Sequence, residues 1–279
     1  MANVLPRNKQ LAVLNALVEG CSVRSTSRMT DTSIETVLSL LVRVGEGCAE
    51  LLDDSMRNLT PWRVELDEIW DYVGKKQRHV GADDDRESVG DMWTFVAIDP
   101  DSKLIPAYLV GKRNADNCTA FVADLASRLV DRVQISTDGL SMYVGAIESA
   151  FGSEVDYGQV IKSYEAEAAG PGRYSPPKVT SVEKIVVMGA PDLDVMSTSI
   201  VERQNATMRQ SIRRMTRLTH AFSKKLRNHK AATALHFAHY NLVRTHGTLR
   251  TTPAMAAGVS QTAWSMDDLL SGALEGFRP

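Results

Sequence analysis

Three observations in this 279-residue chain predict an α/β fold, a mixed sheet flanked by helices and preceded by a small helical unit. Apolar residues recur at helical spacing over the first 46 positions, the period turns strand-like after Pro61, and β-rich runs then alternate with amphipathic ones. The hydrophobic fraction of 43% and charged fraction of 24% exclude wholesale disorder. No apolar run approaches the roughly 20 residues that a membrane-crossing helix needs. The opening "MANVLPRNKQLAV" also lacks a basic region followed by an apolar core and a cleavage site, so a cytoplasmic chain is expected. Cys21, Cys48 and Cys118 are too far apart for a disulfide framework or a zinc ribbon, and read as reduced small hydrophobes.

Leu11, Leu14, Leu17 and Val18 give the first helix, which Gly20 ends. Ser22 can cap a brief second helix from Val23 to Met29. "TDTS" then turns the chain, and Ile34, Val37, Leu38 and Leu41 line a third helix that starts near Ser33. Helix, short helix, tight turn and helix is the layout of a helix-turn-helix, whose last helix enters the major groove. In that reading Ser33, Glu35, Thr36, Ser39 and Arg43 lie off the apolar face and meet DNA. The competing reading is a small helical packing or oligomerisation unit. Residues 47–61 then form a polar link, which closes a first domain at about residue 60.

Beyond the link, "RVELDEIWDYV" (63–73), "MWTFVAID" (92–99) and "LIPAYLVG" (104–111) read as strands, the last two joined by the turn "PDSK". An amphipathic helix runs from Ala115 to near Val130, and the short buried strand "VQIST" (133–137) ends at Asp138-Gly139. A helix from Ser141 to Ala150 and a strand near 155–162 follow. Gly170, Pro171, Gly172, Pro176 and Pro177 break 163–182 into a surface loop or insertion. After the strand "KIVVMG" (184–189), a long helical tract opens at Thr198 or Ser199, with one break near 219–223.

Charge is segregated along the chain. The net −2 conceals a stretch, 61–202, with 14 Lys/Arg against 24 Asp/Glu, followed by 203–250 with 11 Lys/Arg and no acid. Arg203, Arg209, Arg213, Arg214, Arg217, Lys224, Lys225, Arg227 and Lys230 exceed what an ordinary helix surface carries, because such surfaces mix both signs. They either hold a polyanion or compensate the acidic core within the molecule.

Three carboxylates stand at points where chemistry is expected. Asp67 sits in the first strand, Asp138 at the carboxyl end of the fourth, where open α/β sheets place ligand sites, and Glu202 in the first turn of the long helix. If the first and fourth strands are neighbours, Asp67 and Asp138 meet and a helix laid across them delivers Glu202. Converging carboxylates are costly to bury without a cation. Magnesium meets that cost with oxygen ligands, and two such ions stabilise the attacking and leaving oxygens of a phosphoryl displacement. Each acid also has a plainer reading. Ser199 and Glu202 make a capping box, Asp138 shapes a turn, and Glu68, Asp71 and Asp99 compete with Asp67. His236 and His239 lack the spacing of a zinc helix and read as core or surface histidines, while Trp62, Trp70, Trp93 and Trp264 read as packing residues rather than base-stacking platforms.

With "DEIWDYV" (67–73), "STDG" (136–139), "STSIVERQNATMRQSIRRMTRLTHAFSKK" (197–225) and "HYNLVRTHGTLRTTPAMAAGV" (239–259) in this order, the chain resembles bacterial transposases of the insertion-sequence-one type. With "VEGCSVRSTSRMTDTSIETV" (18–37) the likeness extends over nearly the whole chain. The resemblance implies an RNase H-like core in which Asp67, Asp138 and Glu202 are the catalytic, metal-binding DDE acids. It implies two Mg2+ ions, for which Mn2+ can substitute. Asn205 and Arg209, at i+3 and i+7 from Glu202, share its helix face, and Arg209 matches a basic residue placed near the scissile phosphate. His246, in "RTHGTL", matches a late-core position without an assigned role. Typical members also carry an N-terminal zinc finger; the Cys/His spacing for one is absent here, which leaves DNA-end recognition to the helix-turn-helix and the basic tract.

The expected protein is therefore a DNA transposase with a DNA-binding domain and linker at 1–60, a catalytic domain at 61–250 and a helical tail at 251–279. Its DNA contacts are Asn205, Arg209, Arg213, Arg214, Arg217, Lys224, Lys225, Ser33, Thr36 and Arg43. Its partners are the inverted-repeat ends of its element, target DNA and at least one further copy of itself, with no membrane, in a bacterial cytoplasm close to the nucleoid. The alternatives are an integrase-like nuclease without self-mobility and a DNA-binding regulator with a decayed active site.

Overall fold

The computed structural model describes residues 5–165 and 178–276. The α/β expectation holds. Three helices come first, α1 (Arg7–Val18), α2 (Val23–Thr30) and α3 (Ile34–Ser55). Ser22 Oγ accepts the N–H of Ser25 and Ser33 Oγ that of Thr36, so two serines cap α2 and α3. Between those helices Asp31 takes a left-handed conformation (φ 48°), which a short polar side chain tolerates. The polar link expected over 47–61 is mostly helix, because α3 runs on to Ser55. Cys48, Leu51 and Leu52 continue its buried stripe at helical spacing, and that burial outweighs the polar residues between them.

Six strands follow in the spatial order β3-β2-β1-β4-β5-β6, with β1 Arg63–Val73, β2 Gly90–Ile98, β3 Tyr108–Gly111, β4 Val133–Thr137, β5 Val155–Tyr164 and β6 Val179–Met188. β1, β2 and β3 are mutually antiparallel, β4 and β5 run parallel to β1, and β6 returns antiparallel at the edge. This is the mixed sheet expected of an RNase H-like core. β3 starts at Tyr108 rather than 104. Leu104 and Ile105 are buried in place, and the side-chain amide of Asn241 ties down the backbone of Ile105 from another part of the chain. β6 starts at Val179 rather than 184 because its pairing with β5 reaches Tyr164. The centre of the expected insertion, residues 166–177, lies outside the described residues.

Period-two alternation divides the sheet into two faces. Val64, Leu66, Phe95, Ala97, Val133, Ile135 and Tyr157 pack against α4 (Ala115–Arg128) and α5 (Met142–Phe151). Ile69, Val96 and Ile98 face the opposite way and share a core with α3, α6 (Ser199–Ser211), α7 (Leu226–Ala238) and α9 (Met266–Glu275). α3 approaches two helices closely enough that a methyl on Gly45 would fall 2.3 Å from the carbonyl oxygen of Ala231, and one on Gly47 1.9 Å from that of Ala273. The long tract expected from 198 is interrupted over 212–225, more widely than at 219–223. Ile212 leaves the helical conformation, and only a single 3-10 turn at Arg213–Met215 follows before α7. The tail holds α8 (Pro253–Ala256) and α9, and Arg7 ties α1 to α9 through Asp267 and Glu275.

Candidate active site

Strand β1 is the axis of the site. It lies at the centre of the sheet, yet it carries Glu65, Asp67 and Asp71 on the face that meets α6 and α7. Acids on the inward face of a central strand contradict the hydrophobic pattern of such a strand, and local conflicts of this kind are where functional positions are sought. β1 pairs with β4 from Arg63↔Gln134 to Glu65↔Ser136. Two residues further on, where that pairing has ended, the same register sets Asp138 opposite Asp67. The carboxylates of Asp67, Glu68 and Asp138 converge there, with oxygens all within 4.8 Å of one another.

Each acid has its own partners. Asn205 Nδ2, from α6, donates to Asp67 Oδ2 at 2.8 Å. Glu68, 2% exposed, is held by Arg113 at 2.6 Å and by the Tyr143 hydroxyl at 3.2 Å. Asp138 Oδ1 accepts the Leu140 N–H at 3.0 Å. Burial, then the neighbouring charges of Glu68, Asp138 and Glu202, push the Asp67 carboxyl up to about 7. Burial also raises Glu68, followed by the charge of Asp138, while Arg113 pulls it back.

Glu202 stands on the first turn of α6, outside this group of three converging carboxylates. The expected capping box with Ser199 is absent: Ser199 Oγ meets Ser197 Oγ, and the Glu202 carboxylate accepts instead from Thr198 Oγ1 and from Lys162 on β5. The cap comes from β1. The buried carboxylate of Glu65 accepts the N–H groups of Ile200 and Val201 at 2.8 and 2.9 Å, which pins the start of α6 to the strand that carries Asp67. Glu65 and Lys162 were not singled out in the sequence. Glu65 had a signal, since it stands two residues before Asp67 and hence on the same face; Lys162 had none.

The other competing acids stand elsewhere. Asp99 organises the turn after β2 through the Asp101 N–H and the Ser102 hydroxyl. Asp71 lies in a separate buried cluster with His229 Nδ1 at 3.7 Å, and burial lifts its carboxyl to about 7. Desolvation lowers Arg214 to about 10 against the pull of Asp71, and its guanidinium donates to the Asn228 carbonyl at 2.7 Å. Arg209 donates to the carbonyls of Trp70 and Met215, tying α6 to β1. Arg213, Arg217, Lys224 and Lys225 are exposed, as is Arg43, while Thr36 is partly so. A cleft of about 1550 Å3 between α3 and residues 211–228 brings Ser39 and Arg43 to the same walls as Arg213, Lys224 and Lys225. Ser33 is exposed and caps α3. His246 bonds Thr248 through Nδ1; burial, then Lys103, Arg244 and Arg203, holds its pKa down. His236 is buried in the core as expected and His239 is largely so, whereas Trp62 is 51% exposed and donates to Asp101.

Among solved structures, the chain is similar to Mos1 transposase complexes. The Mos1 paired-end complex with left transposon end matches at 15% identity and a TM-score of 0.22, covering 53% of this chain and 59% of that one. The Mos1 Strand Transfer Complex matches at 17% and 0.23, covering 56% and 59%. A pre-cleavage Mos1 transpososome matches at 12% and 0.22, covering 56% and 60%. The chain thus spans less than two thirds of the proteins it matches, and values of this size argue neither for a shared activity nor for shared partners. No family model and no curated protein matches the chain. No helix among the described residues is long and apolar enough to cross a membrane.

The site fits a divalent cation by its own chemistry. All its donors are oxygens, three carboxylates converge, and burial raises the cost of the negative charge on two of them. Asn205 adds a second sign. While its amide nitrogen holds Asp67, its Oδ1 is buried without a hydrogen-bond partner, so an acceptor stands beside the cluster with nothing to accept.

Proposed function

We propose that this chain is a DNA transposase of the DDE class, whose core cuts element ends and joins them to target DNA. The observation that supports this reading most is the meeting of Asp67 and Asp138 across β1 and β4, beneath a helix that carries Glu202 and is pinned to the same strand by Glu65. Asp67, Asp138 and Glu202 are the ligands of Mg2+, two ions in the working enzyme, with Mn2+ as a substitute. Bound there, the metal supplies an activated water and charge stabilisation for an in-line displacement at phosphorus.

The chain's own residues do the rest. Asn205 fixes the orientation of Asp67, and Arg209 holds α6 on β1 next to the scissile phosphate. The Arg113 guanidinium neutralises Glu68 and the Tyr143 hydroxyl donates to it, so this carboxylate of the cluster is engaged within the chain. Arg213, Arg217, Lys224 and Lys225 take phosphates along the cleft, with Arg214 beneath them. Ser33, Thr36 and Arg43 on α3 contact the DNA as a helix-turn-helix would. His246 keeps no assigned step. In the first reaction a water oxygen bonds phosphorus and the 3′ oxygen leaves as a hydroxyl; in the second that hydroxyl oxygen bonds a target phosphorus, the target strand's own P–O3′ bond breaks, and its 3′ oxygen leaves as a hydroxyl after taking up a proton. No Ser or Tyr nucleophile is required.

Residues 1–60 serve as the DNA-binding unit, 61–250 as the catalytic unit and 251–279 as a tail that packs on both. The partners are inverted-repeat element ends and target DNA, held by a dimer or larger assembly in a bacterial cytoplasm at the nucleoid. The test is to incubate the full chain with Mg2+, a supercoiled plasmid and a duplex bearing the repeats that flank its gene. The expected product is plasmid joined to the 3′ end of the duplex; nicking without joining would instead indicate a nuclease.

A further inference from the structure

We propose that Lys162 is the counter-ion that positions Glu202 and sets how tightly the acidic cluster takes a divalent cation. This rests on the metal-site reading above. β4 and β5 pair in register up to Thr137↔Gln159, so the next step outward sets Asp138 beside Val160, and Lys162 follows two residues later on the same face. That is the face on which α6 lies, since a methyl on Gly158 would run into Met196, just before the helix.

The Lys162 ammonium and the Thr198 hydroxyl both bond Glu202 Oε1, which leaves Oε2 as the oxygen turned over to a cation. The Lys162 side chain is 19% exposed against 45% for Glu202, so the ammonium is the more enclosed partner of the pair. The other acids have different holders. Asp67 has an amide, Asp138 a backbone N–H, and Glu68 a guanidinium on the far face of the sheet. Glu202 alone is held by a compact point charge on a flexible stem. A divalent cation approaching Glu202 is repelled by that charge and competes with it for one carboxylate, so Lys162 holds the third acid in place on α6 while lowering its affinity for metal.

The test uses Mn2+ alone, titrated into the full chain without DNA and followed by the electron paramagnetic resonance of free Mn2+. Lys162→Met keeps the stem and removes the charge, and is expected to bind Mn2+ more tightly by roughly three- to tenfold. Lys162→Arg stays close to the parent protein, and in a Glu202→Gln background Lys162→Met changes nothing. A merely structural lysine predicts the opposite sign, because a loosened site binds metal more weakly. If the Met variant does not fold, Lys162→Gln takes its place. Unchanged or weaker binding, or the same tightening without Glu202, overturns the proposal while leaving the metal site standing. Mn2+ affinity that ignores Glu202→Gln in the parent protein overturns the metal-site reading and this proposal together.

Discussion

At the scale of single residues Asp67 is the most perturbed acid of the cluster. Its carboxyl titrates near 3.8 when exposed and at about 7 in the folded chain, where burial and three neighbouring acids oppose its charge. Between those pH values the folded state holds a proton that the unfolded state has released. This contribution to stability is therefore largest at low pH and is lost as pH rises through 7. In chelator, Asp67→Asn should raise the melting temperature at pH 8 by roughly 2–6 °C and by clearly less at pH 5, where only part of the interval between the two pKa values has been crossed. Mg2+ should recover much of that gain in the parent protein at pH 8. A variant that melts lower than the parent at pH 8 would show that Asp67 is paired within the chain rather than awaiting a cation. The residue was legible in the sequence as a candidate. Its advantage over Asp71 and Asp99 was not, because the choice depends on a strand register and on which side chains lie across the sheet.

At the scale of elements, α6 is aimed by its N-terminus. Glu65 takes two backbone N–H groups that would otherwise face the buried surface of β1 without acceptors. Glu65→Ala should destabilise the chain by about 2–3 kcal/mol, since it leaves those donors unpaired. Glu65→Gln keeps one acceptor and should lose clearly less; equal losses in urea unfolding would mean that the carboxylate does not cap α6. The period of apolar residues was enough to foresee most helices and strands. It failed where a tertiary contact overrides local pattern. α3 continues through a polar stretch because Leu51 and Leu52 find a core to enter, and the basic tract unwinds after Ser211 although its residues suit a helix. Arg214 is the reason visible there, since it turns inward to the Asn228 carbonyl and the Ser223 hydroxyl instead of joining a solvated helix face.

At the scale of the whole molecule, the charge segregation read from the sequence has two fates. Part of the basic tract compensates acids inside the protein, Arg227 pairing with Glu46 and Arg214 acting through its charge on the buried Asp71. Arg213, Lys224 and Lys225 remain exposed and line the cleft that α3 closes from the other side, so two distant stretches of sequence share one surface. If that surface holds DNA, replacing all three by Ala should reduce the slope of log affinity against log salt by roughly 2–3. An unchanged slope would move the DNA path elsewhere. The basic block was plain in the composition, but which of its members stay free could not be read there, because the answer lies in acids more than a hundred residues away.

Whether Asp67, Asp138 and Glu202 act as one metal-dependent centre decides what this chain does to DNA. The most direct measurement is single-strand cleavage of an end-labelled duplex carrying the flanking repeats, in Mg2+ and in chelator, by the parent chain and by Asp67→Asn, Asp138→Asn and Glu202→Gln. Cleavage in Mg2+ that is absent in chelator and falls at least about a hundredfold in each variant is the predicted result. Cleavage that persists in the Glu202→Gln chain, or that proceeds without a divalent cation, would contradict it.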